Sequence, residues 1–183
     1  MVIHLQDVKI TKRRIQTMQE HVKKLLPDYT IFSQIKSAGG GRQYKMGVVT
    51  LLRNDLALTA NQVPVADFLQ PEIDASKTHV SAATHCEGRV LVIKTSPTGA
   101  KGAVWHINLY QYTSSAPAAQ RKAIWDACTA VIQEAREQGA AVILGGNLNA
   151  TTGDAQRARS TRTVDRACHT WIQENQGIAA IPS

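Results

Sequence analysis

The chain has 183 residues, 43% apolar and 19% charged, with 12 glycines and 6 prolines. These proportions exclude a disordered, collagen-like or small disulfide-rich protein, and a chain of this length can bury a core without a metal or a cross-link. Twenty-one Lys and Arg against 14 Asp and Glu give a net charge of +7, which favours polyanionic partners, nucleic acid above all.

In chain order, Thr11 predicts an N-cap for a helix ending before Pro27, because Ile15, Met18, Val22, Leu25 and Leu26 recur at helical spacing. From Ile31 the chain runs into a glycine-rich loop, Ser37 to Arg42, and then into a strand over Met46 to Leu52. Residues 53 to 78 are weakly patterned, Val80 to Ala83 have strand character, and Arg89 to Lys94 are a clear strand. Ser96 to Gly99 form a turn. Val104 to Tyr110 alternate, with Trp105, Ile107 and Leu109 on a core face and His106, Asn108 and Tyr110 on a chemically equipped one.

Pro117 suits the first turn of a long helix carrying Ala123, Ile124, Ala127, Cys128, Val131 and Ile132 on one side, with Gly139 as its stop. A buried strand is expected over Ala140 to Leu144, ending in a loop, Gly145 to Asn149, where backbone can approach a ligand closely. An arginine-rich loop precedes a last helix, Val164 to about Asn175, with Val164, Ala167, Cys168, Trp171 and Ile172 inward. Strands interleaved with helices indicate a layered protein with both element types, and residues 1–183 are read as one domain.

No apolar run approaches the roughly 20 residues that span a bilayer, and the start lacks a signal-peptide pattern, so an intracellular protein without a membrane segment is expected. Cys86, Cys128 and Cys168 form no CxxC pair, which argues against a zinc site or a disulfide framework, and they are read as buried or idle thiols. Basic residues cluster at Lys9, Lys12, Arg13 and Arg14 and again at Arg157, Arg159, Arg162 and Arg166. Polar residues stand at three strand ends: Asp7, Tyr110, and Asn147 with Asn149.

Leu5-Gln6-Asp7-Val8-Lys9, Gly47 to Leu51, Gly88-Arg89-Val90-Leu91, Ile107-Asn108-Leu109-Tyr110, Arg121 to Trp125 and Gly146-Asn147-Leu148-Asn149 follow one another in an order and spacing that resemble the endonuclease/exonuclease/phosphatase superfamily. The resemblance covers nearly the whole chain and only part of the family domain. It implies an α+β fold, a four-layer α/β/β/α sandwich of two mixed sheets, here incomplete, with the retrotransposon-type and abasic-site endonucleases as the nearest branch. It also implies a metal-dependent phosphodiester hydrolase. In that reading Asp7 holds one Mg²⁺ or Mn²⁺ ion, Tyr110, Asn147 and Asn149 are the catalytic positions, and Asn108, Lys9, Arg14 and Arg157 contact substrate.

The chain departs from the family pattern at positions that matter. The family carries Asp where Asn147 stands, and a neutral amide cannot take a proton from the attacking water. Asp7 replaces a longer Glu. The family's opening Asn-bearing strand would precede Met1, and its closing Ser-Asp-His segment would follow Ser183. His4, His85, His106 and His169 do not occupy that closing position and are read as structural or exposed. Two functions follow: a nuclease of reduced activity, or a non-catalytic remnant that binds nucleic acid or another domain. Exposed sheet edges are expected in either case, inviting self-association or a completing chain.

Overall fold

Alternation decides the layering, because each strand of this chain offers one side chain in two to each of its faces. In the computed structural model, which describes residues 1–10, 12–36, 47–69, 82–96, 102–150 and 163–175, the order is β1 (Val2–Leu5), α1 (Lys12–Leu25), β2 (Tyr29–Ile35), β3 (Gly47–Arg53), α2 (Asn54–Ala57), β4 (Asn61–Val63), a 3₁₀ turn (Val65–Phe68), α3 (Ala82–Cys86), β5 (Val90–Thr95), β6 (Val104–Tyr110), α4 (Ala118–Glu137), β7 (Ala141–Asn147) and α5 (Thr163–Glu174). One sheet has the order β1-β3-β2 and the other β4-β5-β6-β7. Both pairings of the first sheet are antiparallel, and only the second is mixed, through the parallel β6–β7 pair. The expected α+β sandwich of two sheets is present, and among the described residues the parallel pairing lies in the second.

β6 has helices on one face and the first sheet on the other. Trp105, Ile107 and Leu109 are fully buried with Val90 and Val92 of β5 against Ile124, Ala127, Cys128 and Val131 of α4. Each of the Val, Leu and Ile side chains among them contributes roughly 1.5–3 kcal/mol of apolar burial. On the other face, Leu91 and Ile93 meet Val48 and Leu52 of β3, with Val2, Phe32 and Tyr110 packed around them. These contacts stack the two sheets as a sandwich, with α4 outside the second sheet and α1 beside β2 of the first.

Several elements differ from the pattern in the sequence. β2 was hidden because Tyr29 to Ile35 alternates only weakly and all but its last residue are partly exposed. Residues 82–83 belong to a short helix rather than a strand, since Cys86 reaches the core through α3 while the second sheet ends at β4. The α1 stripe holds for Ile15, Met18 and Val22, but Leu25 is 76% and Leu26 38% exposed, because the helix ends where its neighbour β2 begins. β7 is not a buried strand: it pairs only with β6 among the described residues, and Ile143 is 50% exposed. On α5, Asp165 rather than Ala167 is buried. The three cysteines are free and buried, and burial raises the thiols of Cys86 and Cys168 to about 12 and about 11. Among the described residues no helix is long and apolar enough to cross a membrane. The Ser37 to Arg42 loop, residues 97–99 of the turn, and the arginines at 157, 159 and 162 lie outside the described residues.

Candidate functional site

Register builds the site. In the second sheet Tyr110 lies beside Asn147 across the parallel β6–β7 pair, and Val90 faces Leu109 across β5–β6. One residue further on, Tyr110 N donates to Arg89 O at 2.7 Å. Arg89, Tyr110 and Asn147 thus form one row across three strands, at the end where β6 and β7 finish. Below it come the rows Leu91–Asn108–Gly145 and Ile93–His106–Ile143.

The first sheet brings the end of β1 over this row. Gln6 Nε2 donates to Asn108 Oδ1 at 2.9 Å, while Asn108 Nδ2 donates to Val49 O at 2.8 Å and lies within hydrogen-bond range of Thr50 Oγ1 at 3.1 Å and Leu5 O at 3.3 Å. Asn108 is wholly buried, so its amide ties β1 and β3 to β6 and presents nothing to solvent. Beyond that tie the backbone turns sharply: Asp7 has φ 52° and Val8 N returns to Gly47 O at 2.9 Å. A left-handed conformation is tolerated by Asp better than by most residues, through its short polar side chain.

Two glycines allow the close approach. A Cβ on Gly145 would stand 2.8 Å from Cδ2 of His4, and one on Gly146, at φ 137°, would strike the carbonyl of Leu109. These positions fit only glycine, which explains the Gly-Gly pair ahead of Asn147. Asn147 is the last residue of β7 rather than part of a loop. Its Oδ1 accepts from Asn149 N at 2.9 Å, and Asn149, at φ 49°, donates from Nδ2 to Gln111 O at 2.6 Å. Asn149 therefore leans away from the sheet row and borders a cavity of about 270 Å³ between α4 and α5, with Trp125, Arg121 and Val164 among its walls.

Arg89 received no role from the sequence, although its block, Gly88 to Leu91, was part of the resemblance. It is 7% exposed. Its Nη1 donates to Tyr110 O at 3.1 Å and its guanidinium lies 3.6 Å from the ring centre of Tyr112 and 5.1 Å from that of Tyr110. Burial lowers the pKa of this guanidinium, opposed by Tyr112, Tyr110 and Asp7. A cation at the mouth of an otherwise apolar strand, on the parity of Leu91, is the signal that would have found it.

Asp7 also pairs with Lys9, at 3.7 Å, both side chains being well exposed. Arg14 is exposed on α1, and Arg157 lies outside the described residues. His4 and His106 sit deeper between the sheets. Thr50 Oγ1 is 3.1 Å from His4 Nδ1, and Thr95 Oγ1 is 3.2 Å from His106 Nε2, leaving His4 Nε2 and His106 Nδ1 buried without partners among the described residues. Burial and then the neighbouring His106 lower His4 to about 4, and burial lowers His106. Both rings are neutral at pH 7 and belong to the joint between the sheets.

Of the positions expected to act together, Tyr110, Asn147 and Asn149 are linked through hydrogen bonds and register, while the contact shown for Asp7 is with Lys9. The donor set is a poor match to the divalent ion that the sequence resemblance implies. Among the described residues no group of three or more His, Cys, Asp or Glu side chains could hold a metal. The Asp7 carboxylate is paired with Lys9, and the amide oxygen of Asn147 already accepts a backbone hydrogen bond.

No protein-family model and no curated protein matches the sequence. Solved structures do match in shape. The 3′ phosphatase NExo from Neisseria, bound to product DNA hairpin, aligns over 96% of this chain with a TM-score of 0.59 and 16% identity. The AP endonuclease LMAP from Leishmania major aligns over 96% with a TM-score of 0.58 and 18% identity. ANGEL2, a 2′,3′-cyclic phosphatase, aligns over 83% with a TM-score of 0.56 and 17% identity. The chain spans 59%, 56% and 40% of the lengths of these three proteins. The shared architecture identifies the fold of this chain as that of the endonuclease/exonuclease/phosphatase proteins.

Proposed function

We propose that this chain binds a phosphodiester of nucleic acid at the mouth between the two sheets, and that hydrolysis there is reduced. In this reading the Tyr110 hydroxyl and the backbone around Asn147 hold the phosphate, Asn149 fixes the loop beside it, and Asn108 positions Asp7 without touching substrate. Lys9 and Arg14 hold neighbouring backbone phosphates, and Arg157 is assigned the same part. The net charge of +7 supports a polyanionic ligand. So does the fold, which this chain shares with an AP endonuclease and with a 3′ phosphatase bound to DNA.

The observation that carries the reduced activity is the carboxamide of Asn147 beside Tyr110, with its oxygen accepting from Asn149 N. An amide takes no proton from water at neutral pH, so no described group in the row serves as general base. Incubation with abasic, nicked and supercoiled DNA in Mg²⁺ tests the reading, beside filter binding at two salt concentrations. Binding that weakens steeply with salt, little cleavage in the parent and more in Asn147→Asp are the expected results. Vigorous cleavage by the parent contradicts reduced activity, and salt-independent or absent binding contradicts the nucleic-acid reading.

A further inference from the structure

Among the described residues, the mouth between the sheets carries the Asp7 carboxylate with the ammonium of Lys9 beside it, and the guanidinium of Arg89 in the row with Tyr110. Lys9 Nζ lies 3.7 Å from Asp7 Oδ2 and is exposed, whereas Arg89 is held rigidly in the row by Tyr110 O and the ring of Tyr112. A guanidinium fixed in partly desolvated surroundings projects a stronger field than one in water, because the surroundings screen it less. These three groups alone sum to +1 before any ligand arrives. A divalent cation approaching Asp7 meets the ammonium of Lys9, 3.7 Å from that carboxylate, and the field of Arg89, and Mg²⁺ binds through one or two carboxylates that it must attract away from such competitors. An anionic ester meets the opposite balance.

Resting on the nucleic-acid reading above, we infer that the mouth is an anion site whose positive charge comes from Arg89 and Lys9, that it takes the phosphodiester without a divalent ion, and that Asp7 opposes this binding. Asp7 then acts as the internal counter-ion of the two cations, displaced in part when phosphate enters. The sign of this role is opposite to that of a metal ligand. Removing the charge of a metal-holding carboxylate abolishes metal-dependent binding, whereas removing that of a counter-ion strengthens binding.

The test is anisotropy of a fluorescein-labelled single-stranded thymidine oligonucleotide, in EDTA and in Mg²⁺ at matched ionic strength, with the parent, Asp7→Asn and Lys9→Ala. Asn tolerates the left-handed backbone of residue 7 as well as Asp does, and both positions are exposed, so the variants fold. The expected results are parent binding in EDTA within about twofold of that in Mg²⁺, a gain of about three- to tenfold for Asp7→Asn, and a comparable loss for Lys9→Ala, as one unit charge near a phosphate implies. Electron paramagnetic resonance of added Mn²⁺ reads the metal directly, and the parent is expected to leave the free Mn²⁺ signal undiminished. Binding that requires Mg²⁺ and vanishes in Asp7→Asn overturns this inference while leaving the nucleic-acid reading in place. Mn²⁺ captured by the parent but not by Asp7→Asn overturns it equally. Absence of oligonucleotide binding in all three proteins overturns the nucleic-acid reading itself, and this inference with it.

Discussion

On the helix side of β6, Trp105, Ile107 and Leu109 are buried among aliphatic side chains of β5 and α4, while on the sheet side Asn108 hydrogen-bonds to the other sheet, Tyr110 packs on Val48 and Leu52, and His106 bonds to Thr95 of its own sheet. Both faces are tightly packed, yet only the second fixes a register between sheets. Aliphatic contacts are nearly indifferent to a small slide, whereas the amide of Asn108 meets Leu5 O, Val49 O and Gln6 Nε2 in one relative position only. The comparison teaches that stability resides mainly on one face of this strand and the anchoring of the end of β1 to β6 on the other.

The largest expected effect separates the faces by stability. Trp105→Ala empties the helix-side core and is expected to destabilise the protein by about 3–5 kcal/mol in urea denaturation, whereas Trp105→Phe keeps both fold and oligonucleotide affinity. Asn108→Ala strands buried carbonyls and is expected to cost about 1–3 kcal/mol, and to weaken oligonucleotide binding beyond what its stability loss explains, since Gln6 and Asp7 lose their anchor. Unchanged binding in a folded Asn108→Ala protein would break the division of labour between the two faces.

Gly145→Ala pushes a methyl against the His4 ring and is expected to cost about 1–3 kcal/mol by overpacking, with His4→Ala relieving much of it in a double-mutant cycle. The smallest effect is a pH dependence of the sheet-side joint. His4 falls from an ordinary 6.5 to about 4 on folding, so the unfolded chain binds a proton before the folded one does. Its share of stability is intact above pH 6.5 and is lost as pH falls towards 4, and His106, lowered in the same direction, adds to the trend. Urea midpoints are expected to decline across that window in the parent and less so in His4→Gln.

The apolar half of this molecule was legible in the sequence because it repeats. Ile124, Ala127, Cys128 and Val131 keep helical spacing, and Trp105, Ile107 and Leu109 alternate, so α4 and β6 and the face each buries follow from period alone. β2 escaped because neither of its faces is fully covered, and β7 misled because Ala140 to Leu144 is apolar although it forms a sheet edge. At the site, Tyr110, Asn147 and Asn149 could be named from their strand ends and their order. Arg89 could not be given a role, since its importance comes from lying across from Tyr110 just ahead of the neighbouring strand β5, a relation that only register supplies. Asn108 has the motif position expected of a substrate contact, but the stacking of the second sheet upon it was invisible to a one-dimensional reading.

Hydrogen exchange across the backbone amides, with and without a single-stranded oligonucleotide in EDTA, tests most directly whether the ends of β1, β6 and β7 form one phosphodiester site. The account predicts that Gln6 to Val8, Gln111 to Tyr112 and Asn147 to Asn149 gain protection together at one oligonucleotide concentration. Protection confined to α1 or α4, with those three segments unchanged, would contradict it.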